Sequence, residues 1–214
     1  MFNKFRISLL FIVFGLLALA PAAFAQDEAP GSSVYKFEDG SAIEESWSML
    51  RRYENGLAMT LHTTDLVPGD AYTVWWVVFN EPQNCSDSVC NEDDLFFIDE
   101  TTGGIVTDEY GQRQMNPEAL ENAQISVQYA TGSYIDDDGN GDFAAAVGVG
   151  QVPGVIAGPG VVNPETAEVH LVVRTHGQMV ADLFDAQILD FGGGCEPMDA
   201  APCADVQFAM HPAS

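Results

Sequence analysis

The sequence predicts an all-β fold, a Greek-key β-sandwich or a related barrel, with one short helix near the C-terminus. Three observations carry this. Segments with period-two alternation of apolar and polar residues recur along most of the 214 residues. Gly, Pro, Asn and Asp punctuate them at the short intervals typical of turns. Only residues 179 to 190 switch to a helical period.

The chain opens with Lys4 and Arg6, an apolar run from Ile7 to Ala20, and a small-residue site ending at Ala25. This is the pattern of a secretory signal peptide over 1–25, and the run is too short for a membrane span. A polar lead-in over 26–32 follows, and 33–214 reads as a single β-sandwich domain. Trp47 to Tyr53 alternates, with Trp47, Met49, Arg51 and Tyr53 on one side. Glu54-Asn55-Gly56 then supplies a tight turn. Leu57 to Leu66 is the partner strand, its Leu57, Met59 and Leu61 opposite Thr60, His62 and Thr64. Such a hairpin has one buried and one wet face.

Tyr72 to Asn80 is apolar on both faces, so it is expected centrally, covered on both sides. Asn116-Pro117 suits the start of a one-turn helix, with Asn capping and Pro in the first position. Further strands are expected at Ile125–Ile135, Asp142–Val149, Glu168–His176 and Asp205–His211. Between Met179 and Asp190, the spacing of Val180, Leu183, Phe184 and Ile188 is helical, and Gly192-Gly193-Gly194 is the stop.

Seven basic residues face 32 acidic ones. Removal of the signal peptide takes Lys4 and Arg6 and no acid, leaving five against 32, a formal charge of −27. A phosphate backbone would be repelled, which excludes general nucleic-acid binding. The acids are dispersed, as on a solvated surface. No second long apolar run follows, so no membrane span is expected in the mature chain. Behind a signal peptide, Cys85 with Cys90 and Cys195 with Cys203 read as two short disulfide staples rather than a zinc site, whose spacing the second pair misses.

Leu66-Val67-Pro68-Gly69-Asp70-Ala71-Tyr72 resembles the tyrosine-corner segment of fibronectin type III and other Greek-key sandwiches. The resemblance implies that Leu66 packs at the corner, Gly69 permits the turn, and the Tyr72 hydroxyl bonds back to upstream backbone. More of the chain is similar to secreted bacterial β-rich proteins of unassigned function. The residues involved are Pro68 to Val77, the nearby cysteines, Val169 to Gly177, and Cys203 to Ala209. That likeness implies a secreted β-rich fold and no activity.

Strand 168–176 is the most suggestive stretch. Alternation sets Glu168, His170, Val172, Arg174 and His176 on one face. His62 and His211 are placed on the polar faces of their own strands. Six strand residues span about 20 Å, so His170 and His176 cannot share an ion bound at about 2 Å. A copper or zinc site would need a cross-strand pair drawn from His62, His170, His176 and His211. Otherwise these rings cap sheet ends or pair with carboxylates. In so acidic a chain, Arg174 is expected to pair with a carboxylate such as Glu168, an anion-binding role being the alternative.

Asp136, Asp138 and Asn140, with Gly141, resemble the first half of an EF-hand calcium loop, and Asp142 adds a carboxylate. Position twelve is Val147 where that family has Glu, and a strand rather than a helix follows. A hairpin turn explains the same residues. Trp75 and Trp76 point to opposite faces, so one belongs in the core. The other lines a ligand groove or is covered by the 179–190 helix or a loop.

No nucleophile elbow, zinc-protease motif or phosphate-cradling loop is present. The leading expectation is a secreted or periplasmic, non-enzymatic β-sandwich binding an extracellular ligand or protein. The alternatives are a periplasmic copper- or zinc-binding protein, a calcium-stabilised adhesion-type module, or a hydrolase assembled from scattered residues.

Overall fold

The computed structural model of the chain describes residues 31–196 and 201–214. The expected signal peptide and residues 26–30 of the lead-in lie outside that range. Among the described residues, eight strands form: β1 (Gly31–Lys36), β2 (Ala42–Tyr53), β3 (Gly56–Thr63), β4 (Asp70–Phe79), β5 (Ile125–Tyr134), β6 (Gly141–Gly148), β7 (Glu168–Gln178) and β8 (Ala204–His211). All pair antiparallel, in the order β5-β4-β7-β8-β1-β2-β3-β6. The pairings β4 with β7, β3 with β6 and β8 with β1 join strands distant in sequence, the crossovers of a Greek key. The all-β expectation is the fold observed.

One hydrophobic cluster holds the interior. Val74, Trp76 and Val78 of β4 and Val169, Leu171 and Val173 of β7 meet Val34, Leu50, Leu57, Met59 and Leu61 from the other half of the sheet. The sheet therefore wraps around a single core. Alternation does the sorting, since every second residue of each strand faces inward. In the β2–β3 hairpin, Ser48, Leu50, Leu57, Met59 and Leu61 turn inward, which leaves Trp47, Arg51 and Tyr53 on the wet face.

Most strand ends shift by one to three residues from the sequence reading, as where β3 stops at Thr63 rather than Leu66, and the larger differences lie at the N-terminal side. Gly31 and Ser32, assigned to the lead-in, begin β1 and pair with Met49 and Ser48. β2 starts at Ala42, five residues before Trp47. Its alternation breaks at Glu45, which has φ 61°. The buried set accordingly passes from Ile43 to Ser46, Ser48 and Leu50.

Every residue of β4 is buried. Its second face is covered at the Val77–Phe79 end by residues 80–124, which fold back over the sheet between β4 and β5, and at Trp75 by Phe191. Leu95, Phe96 and Cys90 pack there on Val77, Phe79 and Val127. Bridges Phe96–Met115, Ile98–Ile105 and Thr107–Arg113 brace this roof, and the Cys85–Cys90 disulfide closes its root. It ends in helix α1 (Pro117–Asn122), where the Asn116 side chain accepts from the Glu118 and Ala119 amides.

The expected helix at 179–190 is a single 3₁₀ turn, Ala181–Leu183, followed by α2 (Phe184–Leu189). Met179, Val180, Leu183, Phe184 and Leu189 are all exposed, so the apolar period buries no continuous face to extend a helix. Tyr129 and Tyr134 hydroxyls instead pin it, donating to the Ile188 and Phe184 carbonyls at 2.8 and 3.0 Å. The approach requires Gly132, since a Cβ there would lie 2.2 Å from the Ile188 carbonyl oxygen.

At the β3–β4 corner, the Val67 amide donates to the Tyr72 hydroxyl at 3.0 Å. Gly69 takes φ 80°, and Leu66 joins the core. The β6–β7 connection runs beside the outer edge of β5. It is joined there by Val127 N to Ala157 O and Ile156 N to Val127 O, both 2.9 Å, and Tyr129 N to Pro153 O at 3.0 Å. Among the described residues, no helix is long and apolar enough to cross a membrane.

Candidate functional site

Between the roof and the outer sheet face lies a cavity of about 370 Å³. Trp75 and Val77 of β4, Val127 of β5, His170 and Val172 of β7, and Phe208 and Met210 of β8 form its floor. Leu95, Phe96 and Met115 form the ceiling, and Phe37 and Phe191 close the ends. The floor residues recur at every second position because they share the outward side of the pleat.

Polar groups are few and already organised. Arg113 of the roof meets Asp205 of β8 at 2.6 Å. The other oxygen of Asp205 takes Arg174 at 2.8 Å. Arg174 also donates from Nε to the Phe191 carbonyl at 3.0 Å, and its guanidinium lies 4.0 Å over the Phe191 ring. Arg113 stands 4.9 Å over Phe96. Both cations thus hold wall rings of the cavity, each contact adding attraction from the ring quadrupole.

Arg174 is fully buried, a placement that needs a compensating charge. That charge is Asp205, not Glu168. Glu168 sits six residues away along β7, at the far end of the strand. Its Oε1 instead accepts the Cys90 amide at 3.0 Å and His170 Nε2 at 2.7 Å. Roof and floor are therefore tied at two places, Cys90–Glu168 and Arg113–Asp205. Burial holds the Glu92 carboxyl, on the cavity rim, above the usual carboxylate range; Arg113 opposes this, while Asp205 and Asp93 add to it.

Trp75 is the outward member of its pair and Trp76 the core member. Trp75 is buried beneath Phe191, edge-on at 5.1 Å. Its indole N–H donates to Thr73 Oγ1 at 2.8 Å, and the same hydroxyl meets His176 Nε2 at 2.8 Å. His176 Nδ1 lies 3.5 Å from Cys203 Sγ. The Cys195–Cys203 disulfide closes onto β8 the segment that carries Phe191.

The four histidines occupy different settings. His62 is on the wet face and meets Asp142 at 2.7 Å, its cross-strand partner in the β3–β6 register. His170 has Glu168, and His176 has Thr73. His211, expected on a polar face, is buried on the side of core residue Ala209 and bonds Ser48 Oγ at 2.7 Å. The reason is parity, since Gln207, Ala209 and His211 are the buried set of β8. Burial first, then Arg174, pushes His176 down to about 4. Burial, then Arg52 and His170, pushes His211 down to about 4.

The Asp-rich segment is the turn between β5 and β6. Asp136 Oδ1 accepts the Asp138 amide at 3.2 Å. Asp136, Asp138 and Asn140 are exposed, Asp142 is engaged by His62, and Val147 is in the core. Among the described residues, one set of three His, Cys, Asp or Glu ligand atoms lies within 4.8 Å: Cys85, Cys90 and Asp94. Its sulfurs are bonded to each other, and the Asp94 carboxylate accepts the Ser86 and Asn91 amides at 2.7 and 2.9 Å. These donors are already used.

Sequence reasoning placed Trp75, His170 and Arg174 on candidate faces but missed Phe96, Arg113, Phe191 and Asp205. The signal available was the run of apolar residues Leu95, Phe96, Ile98, Ile105 and Met115 in a segment with no strand period. They needed something to cover.

No protein-family model matches the chain, and comparison with curated proteins gives no match. Among solved structures, the chain is similar to two histidine-substituted variants of a SOD-like protein from Bacillus subtilis. The double mutant aligns with TM-score 0.38 and 9% identity, over 87% of this chain and 99% of that one. The single mutant aligns with TM-score 0.32 and 9% identity, over 86% and 97%.

Proposed function

We propose that this chain is an exported β-sandwich protein, secreted or periplasmic, that acts by binding a small apolar ligand beneath its roof. The cavity carries the reading. Its volume of about 370 Å³ is within the range of small-molecule sites, and such sites pair apolar and aromatic walls with a few fixed polar groups. Two disulfides favour an oxidising compartment. The formal charge of −25 disfavours anionic ligands, since the surrounding field repels them.

The test uses Trp75 as reporter in a Trp47→Phe background, which removes the exposed indole. Titration with one- and two-ring aromatic hydrocarbons is expected to change its emission saturably. Val172→Phe, which fills part of the floor, is expected to abolish that change while the protein stays folded. A panel giving no saturable response, or a response indifferent to Val172→Phe, would overturn the proposal.

A further inference from the structure

We infer that the cavity selects a neutral aromatic molecule bearing a hydroxyl group, whose O–H is received by Nδ1 of His170. The inference rests on the cavity being the ligand site and names the chemistry that site takes.

His170 is the polar side chain of the floor that carries an uncommitted acceptor. Its Nε2 is spoken for by Glu168 Oε1 at 2.7 Å. That oxygen belongs to an ionisable carboxylate which also accepts the Cys90 amide at 3.0 Å, so the imidazole is the donor of the pair. In the neutral ring, a proton on Nε2 leaves a lone pair on Nδ1. Among the described residues, no hydrogen bond reaches Nδ1. An open acceptor on a residue that lines the cavity favours a ligand that brings a donor. The carboxylate on one side and Phe79, 5.0 Å from the ring centre, on another fix the ring's orientation, so little freedom is lost when it binds.

The rest of the wall specifies the remainder of the ligand. Trp75, Phe96, Phe191 and Phe208 line the same space and suit an aromatic ring, through stacked or edge-on contacts. Arg113 is already matched by Asp205 at 2.6 Å, and Glu92 adds a further acid to the rim. The lining thus has no surplus positive charge for a carboxylate or phenolate. A neutral hydroxyl is the remaining donor class that an apolar slot accepts at low cost.

The experiment compares thymol with thymol methyl ether by calorimetry on the full chain at about pH 8, above the ordinary imidazole range. Thymol is expected to bind about tenfold more tightly, the effect of one buried hydrogen bond. In the double variant His170→Phe, Glu168→Gln, which leaves no buried carboxylate without its partner, that preference is expected to vanish while the ether binds as before. Equal binding of the two molecules to the unaltered chain would overturn the inference and leave the cavity reading standing. So would a preference that survives in the double variant. Failure of both molecules to bind would overturn the two together. The ligand pair is compared first on the unaltered chain, so the inference stays open to refutation even if the variant does not fold.

Discussion

Arg113 and Asp205 join the roof of the cavity to its floor. The guanidinium comes from the 80–124 excursion, the carboxylate from β8, and they meet at 2.6 Å. On its other oxygen, the same carboxylate balances Arg174, which has no exposed surface. The two bonds differ in consequence because the two arginines differ in burial.

Asp205→Ala removes the carboxylate opposite a buried guanidinium and is expected to destabilise the fold by about 3–5 kcal/mol. Arg113→Ala breaks the partly exposed half of the same triad and is expected to cost only about 1 kcal/mol. Urea denaturation of the two variants checks the ranking. Equal losses would mean that Asp205 does not serve Arg174 as described.

Acid should weaken the protein in a defined window. His176 and His211 both titrate near 4 in the fold, against 6.5 ordinarily. The unfolded chain therefore takes up protons that the folded chain refuses. The stability these rings contribute is whole above about pH 6.5 and is lost as pH falls through about 4. Melting temperature is expected to decline across that interval, and less steeply in His211→Gln. A flat profile between pH 7 and about 5.5, above the range where most carboxylates of so acidic a chain titrate, would contradict the placement of both rings.

The interior holds a polar pair with no evident service. Gln128 of β5 is wholly buried and lies opposite Trp76 in the register. Among the described residues, neither its amide nor the Trp76 indole nitrogen has a hydrogen-bond partner. An unsatisfied buried group costs about 1–3 kcal/mol. Gln128→Leu, similar in volume, is expected to raise stability by about 1 kcal/mol, read as a higher melting temperature. A lower melting temperature would show that the amide is satisfied in solution.

Much of the architecture was legible because alternation is local. Leu57, Met59 and Leu61 face inward as their spacing required, and β4 is covered on both sides as its unbroken apolar run required. β1 was illegible because Gly31-Ser32-Ser33 has no apolar alternation; it is a strand by virtue of its neighbours β2 and β8. The candidate site divides in the same way. One-strand logic put His170 and Arg174 on a shared face and sent Trp75 and Trp76 to opposite ones. It could not show that Arg174 would take Asp205 from the adjacent strand, or that Phe191 would lie over Trp75. Those contacts depend on how remote segments fold back, and no local period records that.

The β6–β7 connection, lying along β5 with Pro153, Ile156 and Ala157, has a consequence beyond packing. A bare outer strand is a template on which another copy can add its own strand and seed aggregates. Here the donor and acceptor groups of Val127 and the amide of Tyr129 are already taken by the chain itself. A proline stands in the sealing segment, where a regular strand would be interrupted. At this seam, the molecule has a built-in guard against joining its neighbours into fibres.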